Sequence, residues 1–232
     1  MATGEIEKNL EHILERITRA CAKCRRSPDS VRLVAVSKTI APEKAQEAIA
    51  AGVTILGENY MQEAREKIDA LGKKVSWHFI GHLQSNKAKY AVELFDLIHS
   101  VDSLHLAGSL SRAAQTQNKI IPVLIQVNIS GEESKHGLNP QTAFQLTENV
   151  ARLPNLTIQG FMTMPPLSEN PEASRPYFAA LRKLRDEVQA KGLKELRLQE
   201  LSMGMSSDFE VAIEEGATLV RIGTSLFGAR GL

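Results

Sequence analysis

The feature that most constrains this chain is a rhythm: a short apolar run followed by a helical stretch, repeated about eight times between Val31 and Thr224. Val31–Val36 (VRLVAV) opens the series. It is almost continuously apolar and β-branched, which suits a strand buried on both faces. Pro42 starts the helix behind it and Gly52 stops it. Further strands are expected over Val53–Leu56, Ser76–Ile80, Leu94–His99, Ile120–Asn128, Leu156–Phe161, Leu196–Leu201 and Thr218–Ile222. Between them, helices are expected up to about Leu71, from Ser85, and over Ser103–Gln117, Pro140–Arg152, Pro171–Ala190 and Asp208–Glu215. A short turn follows Gly223-Thr224. Ahead of the series, Ile6, Leu10, Ile13, Leu14, Ile17, Cys21 and Cys24 repeat at three and four, which predicts an extra amphipathic helix over residues 5–25.

Alternation of this kind calls for a parallel sheet. Eight units in 232 residues fit a closed (β/α)8 TIM-type barrel, one domain over residues 1–232, with the extra N-terminal helix. An open doubly wound sheet is the alternative, but no G-x-G-x-x-G follows the first strand. There is no Pro/Gly/Ser-rich linker, and no residues remain for a second domain.

Composition narrows the partners. With 28 basic and 27 acidic residues the formal charge is +1, so there is no global electrostatic pull toward nucleic acid or an anionic membrane. No apolar run approaches the ~20 residues that span a bilayer. The first residues, MATGEIEKNLEHILERI, are charged and periodic, unlike a secretory leader, so a cytoplasmic protein is expected. Cys21 and Cys24 form a C-x-x-C with no second pair to complete a structural zinc site. They sit one turn apart on the apolar face of the first helix, as two small hydrophobes.

In a (β/α)8 barrel, reactive side chains collect where strands end, and phosphate commonly binds the loops after strands seven and eight. The strand ends carry Lys38, Glu58-Asn59, His82, Ser100, Asp102, Asn128, Met162–Met164, Ser202-Met203-Gly204 and Gly223-Thr224. Two of these are built as anion cradles. Ser202–Ser207 (SMGMSS) supplies hydroxyls and a glycine before a helix. Arg221–Thr224 (RIGT) supplies backbone N–H groups, a hydroxyl and a cation. Both fall on the strands that adjoin Lys38 when the barrel closes. A primary amine beside an anion pocket suits a phosphorylated aldehyde held as a Schiff base, and pyridoxal 5′-phosphate (PLP) is the commonest such molecule. The amine has to be available in its neutral form, which partial desolvation favours. Arg221 is long enough to reach the ring nitrogen. Plainer roles stay open for each residue: a solvated strand-end lysine, helix caps at Ser202 and Ser206, and a loop tie at Asn59. His78 and His82 stand four apart with a turn between them, which argues against a helical metal pair.

Five segments carry a resemblance that runs nearly end to end: Leu33–Thr39 (LVAVSKT), Gly57–Gln62 (GENYMQ), His78–Lys87 (HFIGHLQSNK), Leu201–Asp208 (LSMGMSSD) and Val220–Gly228 (VRIGTSLFG). The chain resembles the YggS/PROSC family, the pyridoxal phosphate homeostasis proteins. That resemblance implies a barrel like the N-terminal domain of alanine racemase, with PLP on Lys38 and Arg221 facing the pyridine nitrogen. It places Ser202, Gly223 and Thr224 at the phosphate with Ser206 beside them, and Asn59 at the cofactor ring. Lys135 and His136, in the Glu132–Gly137 loop (EESKHG), receive no role, although a rim lysine there could meet free aldehyde.

The resemblance also implies a non-catalytic role in vitamin B6 homeostasis. Alanine racemases use a second domain whose tyrosine, supplied by the partner subunit, faces the cofactor. This chain has only Tyr60, Tyr90 and Tyr177, with no such domain to place them, and racemisation needs a second positioned base. An arginine at the ring nitrogen also weakens PLP as an electron sink. The expected protein is therefore a PLP holder with PLP-dependent apo-enzymes as possible recipients, and a monomer because the dimer-forming domain is missing. A PLP-dependent racemase or related amino-acid enzyme, and an aldolase-like barrel using Lys38 on a sugar phosphate, are the competing readings.

Overall fold

The structure is a computed structural model that describes residues 4–132, 135–192 and 196–228. Eight parallel strands close into a barrel in sequence order. They are β1 (Arg32–Val36), β2 (Ile55–Glu58), β3 (Ser76–Phe79), β4 (Leu97–Val101), β5 (Ile121–Gln126), β6 (Leu156–Met162), β7 (Glu200–Ser202) and β8 (Leu219–Ile222). The ring closes where Val34 of β1 lies beside Arg221 of β8. Helix α1 (Glu5–Lys23) precedes the barrel. One helix follows each strand: α2 (Pro42–Ala50), α3 (Met61–Leu71), α4 (Ala88–Leu94), α5 (Leu104–Thr116), α6 (Pro140–Val150), α7 (Arg175–Ala190), α8 (Phe209–Glu214) and α9 (Thr224–Phe227). The barrel and the extra helix are thus as the sequence led us to expect.

Boundaries moved where local chemistry overrode the apolar pattern. Leu94, expected to open a strand, ends α4 instead, and β4 starts three residues later at Leu97. Asp96 makes the break: its carboxylate accepts from the Trp77 backbone N–H at 2.8 Å, tying the helix exit to β3. Ser85–Lys87 is a 3-10 turn ahead of α4, and β7 is only three residues long.

Strand parity divides the core in two. Trp77, Phe79, Ile98, Phe161 and Leu201 join the large outer cluster between sheet and helices. Val34, Ile55, Leu97, Leu124, Met162 and Leu219 form a separate cluster inside the ring. Above them the same inward parity carries polar side chains: His78, His99, Ser202 and Arg221, all buried. The lumen is therefore greasy below and polar toward the strands' C-terminal ends.

Helix α1 buries Ile6, Leu10, Ile13, Ile17, Ala20 and Cys21. Full burial of each large aliphatic contributes about 1.5–3 kcal/mol. It is pinned to the last two barrel helices by the Arg16–Glu210 pair at 2.6 Å and by Asn9 donating to the Leu226 carbonyl at 3.0 Å. Cys21 is buried and Cys24 half-buried, and neither is in a disulfide. Burial pushes the Cys21 thiol up, which keeps it an inert hydrophobe. Among the described residues no helix is long and apolar enough to cross a membrane.

Candidate functional site

At the C-terminal mouth of the barrel lies a cavity of about 450 Å³. Lys38, Asn59, Ser206, Arg221, Gly223 and Thr224 all line it, joined by Val36, Ile80, Met164, Leu167, Met205 and Ser207. Six of the seven expected cofactor-binding residues therefore meet in one place. The seventh, Ser202, does not line the cavity. It is the last residue of β7, and its parity turns it into the lumen beneath Arg221.

The exit of β1 is clamped on both sides of Lys38. Ser37 is fully buried, and its hydroxyl donates to Glu58 Oε1 at 2.6 Å. Lys67 Nζ donates to the Ser37 carbonyl and to Glu58 Oε1, the latter at 2.7 Å. On the far side, the Thr39 N–H donates to Glu63 Oε2 at 2.7 Å, and Thr39 sits at φ 63°. A non-glycine residue in the left-handed region is held there by its surroundings. The resulting turn leaves Lys38 half-buried, with its side chain at the cavity wall. Burial pushes the Glu58 carboxyl up from its ordinary value, opposed by the hydrogen bonds from Lys67 and Ser37.

Arg221 forms the floor. Its Nη1 donates to Ser202 Oγ at 2.6 Å and its Nη2 to the Thr163 carbonyl at 2.8 Å. Burial lowers its pKa to about 10, so it keeps its charge at neutral pH. Ser202 Oγ lies 2.9 Å from His99 Nδ1, and His99 Nε2 lies 3.0 Å from His78 Nδ1. Arginine only donates, so Ser202 accepts from it. The hydroxyl proton is then used by donating to His99 Nδ1, which leaves His99 Nε2–H to donate to His78. Burial lowers the pKa of His78 to about 3 and that of His99 well below 6.5, so both rings are neutral.

The cradles behave as a unit. The Ser225 N–H donates to Ser206 Oγ at 3.4 Å, joining the loop after β7 to the start of α9. Asp208 shapes that loop: Oδ1 accepts from the Met205 N–H at 2.7 Å and Oδ2 from Ser174 Oγ at 2.8 Å. Gly204, at φ 91°, runs so close to α8 that an added Cβ would stand 2.6 Å from the Ala212 Cβ. The first N–H groups of α9 have no acceptor within their own helix. Hydroxyls at Ser206, Ser207 and Thr224 complete a donor set suited to a dianion.

A PLP-sized group fits these residues on one further observation. Asn59 Oδ1 is buried with no hydrogen-bond partner among the described residues, at the wall of the same cavity. A buried polar atom left unpaired is costly, and a ligand in the cavity would supply its partner. Lys135 and His136 lie outside the cavity, where Lys135 pairs with Glu132 at 3.0 Å. Glu133 and Ser134 of that loop lie outside the described residues. Sequence alone did not single out Ser37, Lys67 or His99, named Glu58 only as a strand-end residue, and weighed His78 only as a partner of His82. Only the inward parity of His78 and His99 on apolar strands could have flagged those two.

The sequence matches the family described as alanine racemase, N-terminal domain, over residues 8–231. A pyridoxal phosphate homeostasis protein of Aquifex aeolicus is 48% identical over 224 residues, covering 96% of this chain and 97% of the relative. The structure of PipY from Synechococcus elongatus with PLP bound superposes with a TM-score of 0.81 at 40% identity, covering 91% of this chain and all of that one (100%). An alanine racemase of Clostridium difficile shares the fold alone, at 16% identity and a TM-score of 0.72, and this chain covers 58% of its length. With a barrel of this topology and relatives matched along nearly their whole length, the chain belongs to the family of pyridoxal phosphate homeostasis proteins, built on the alanine racemase N-terminal domain.

Proposed function

We propose that this protein holds PLP in the mouth of the barrel, linked to Lys38 as a Schiff base, and serves intracellular PLP homeostasis without turning over a substrate of its own. The observation that carries the reading is the convergence of Lys38, Arg221 and the Ser206–Thr224 cradle on one cavity. The named role of the Aquifex relative and the PLP in PipY support it.

When bound, PLP supplies an electrophilic aldehyde that a neutral amine can capture. The chain's residues do the rest. The Ser37–Glu58–Lys67 clamp fixes the backbone from which Lys38 reaches. Ser206, Gly223 and Thr224 would hold the phosphate, and Asn59, whose buried Oδ1 is unpaired among the described residues, would stand against the ring. Arg221, charged at neutral pH and oriented by Ser202 and Thr163, would donate to the ring nitrogen and so disfavour its protonation. An unprotonated ring is a poor electron sink.

That tuning supports holding over turnover, and so does the position of the tyrosines. Tyr60 is 55% exposed and Tyr90 40% exposed, and no tyrosine lines the cavity. The same reading makes the chain one cofactor-binding unit, a cytoplasmic monomer, with PLP-dependent apo-enzymes as recipients. Purified protein should show visible absorbance that borohydride reduction abolishes and Lys38→Ala lacks. Holo-protein given a panel of L-amino acids in deuterium oxide should neither invert them nor exchange Cα protons over many equivalents. Sustained turnover of any of them would make the protein a racemase or related enzyme instead.

A further inference from the structure

Beside the PLP cavity, three side chains from three successive strand exits converge: His82 after β3, Asp102 after β4 and His136 after β5. One donor atom from each lies within 4.8 Å of the other two. His82 Nδ1 is 3.8 Å from Asp102 Oδ2, and the His82 and His136 rings stack with centroids 3.9 Å apart. We propose that His82, Asp102 and His136 form a binding site for a divalent transition-metal ion of zinc-like character, clipping three βα loops together at the mouth of the barrel.

The ligand chemistry points to that class of ion. Two imidazoles and one carboxylate suit ions of borderline softness, with water completing the shell, and do not suit the all-oxygen cages of calcium or magnesium. Around a tetrahedral ion with bonds near 2 Å the donors sit roughly 3.3 Å apart. The donors now lie within 4.8 Å of one another, and the two exposed imidazoles, stacked at present, would have to turn and fan apart to share an ion.

The backbone beneath is already fixed, so little ordering remains to oppose binding. The His136 carbonyl accepts from buried Gln126 Nε2 at 3.1 Å, the Leu138 N–H donates to the Gln126 carbonyl at 3.1 Å, and the Leu138 carbonyl accepts from the Asn128 N–H at 2.8 Å. His82 stands between Gly81, whose added Cβ would strike the Asn59 carbonyl at 2.3 Å, and buried Leu83. Asp102 follows fully buried Val101. The nearest competing cation in the loop, Lys135, is paired with Glu132 at 3.0 Å. Ile80, two residues before His82, lines the PLP cavity, so an ion here would brace the wall of that cavity.

The test is equilibrium dialysis of the PLP-free full chain against Zn2+, with Co2+ as the spectroscopic probe. The expected result is one equivalent bound and a rise in melting temperature with added Zn2+. His136→Ala and Asp102→Asn should each weaken binding by about a hundredfold or more and abolish the thermal shift, since even removing an outer-shell partner costs 10–100-fold. The exposed position of His136 makes its variant safe to fold, should Asp102→Asn prove unstable. No stoichiometric binding by the wild type would overturn the proposal. So would unchanged binding in both variants, and a strong thiolate-to-cobalt charge-transfer band would then move the site to Cys21 and Cys24. PLP binding is measured separately, so failure here leaves the cofactor reading standing.

Discussion

The Arg221 guanidinium and the Ser202 hydroxyl meet at 2.6 Å inside the barrel, one layer beneath the cavity that Arg221 lines. We propose that Ser202 works on the cofactor site through Arg221, which it orients from beneath the cavity. Ser202→Ala strands Arg221 Nη1 and His99 Nδ1 in a buried setting. Each unsatisfied group costs about 1–3 kcal/mol. The variant should melt several degrees lower and bind PLP about tenfold more weakly, with its visible band displaced because Arg221 is no longer aimed. Fluorescence titration and the absorption maximum report the two effects separately. A variant that lost phosphate recognition alone would keep its band in place.

His78 and His99 make stability depend on acid. Their folded pKa values are depressed, to about 3 for His78, against an ordinary value near 6.5. In the window between, the unfolded chain binds protons that the folded chain refuses. Stability from this pair is therefore complete above about pH 6.5 and falls as the pH drops toward 3. At pH 5 the loss from His78 alone is about 2 kcal/mol, and His99 adds to it in the same direction. Urea unfolding at pH 7 and pH 5 should show the drop, and His99→Asn should show a smaller difference between the two pH values than the wild type.

The clamp behind Lys38 is a buried ion pair, with Lys67 and Glu58 at 2.7 Å and both essentially out of water. Glu58→Ala leaves the Lys67 amine only its longer ion pair with Glu63 Oε2 at 3.5 Å, and breaking a buried pair typically costs about 3–5 kcal/mol. Stopped-flow absorbance should also show slower capture of PLP, because the Ser37 turn from which Lys38 reaches is no longer fixed. A variant destabilised to this extent but capturing PLP at the wild-type rate would separate the clamp from the site.

Thr224 and Ser206 are assigned to the phosphate, so their loss should be felt only by a ligand that carries one. The double variant Ser206→Ala/Thr224→Ala should bind PLP at least about a hundredfold more weakly, at roughly 1.5–3 kcal/mol per hydrogen bond to a charged group. Its reaction with pyridoxal, which lacks the phosphate, should be unchanged. Equal losses for both aldehydes would place the hydroxyls elsewhere.

What could be read from the residues was the local part. Strand-then-helix alternation, the turn glycines and the two hydroxyl-rich cradles each declare themselves within a few positions, and they led to the barrel and to six of the cavity's lining residues. What could not be read was what closure brings together. His78 and His99 are 21 residues apart and join Ser202 and Arg221 only because inward parity meets inside a ring. His78 and His82, four apart and weighed as a pair, part company: one points to His99 in the lumen, the other to Asp102 and His136 at the rim. Ser202 reads as part of the cradle loop in sequence, and its parity as the last residue of β7 turns it into the lumen against Arg221. Leu94 looked like a strand opener because a short apolar run does not reveal whether a helix has yet ended.

The central claim is that Lys38 is the residue that holds PLP. Borohydride reduction of the PLP-loaded protein, followed by proteolysis and mass spectrometry, tests it most directly. A phosphopyridoxyl group is expected on the peptide carrying Lys38 at close to one per chain. An adduct on Lys135 with Lys38 unmodified would contradict it.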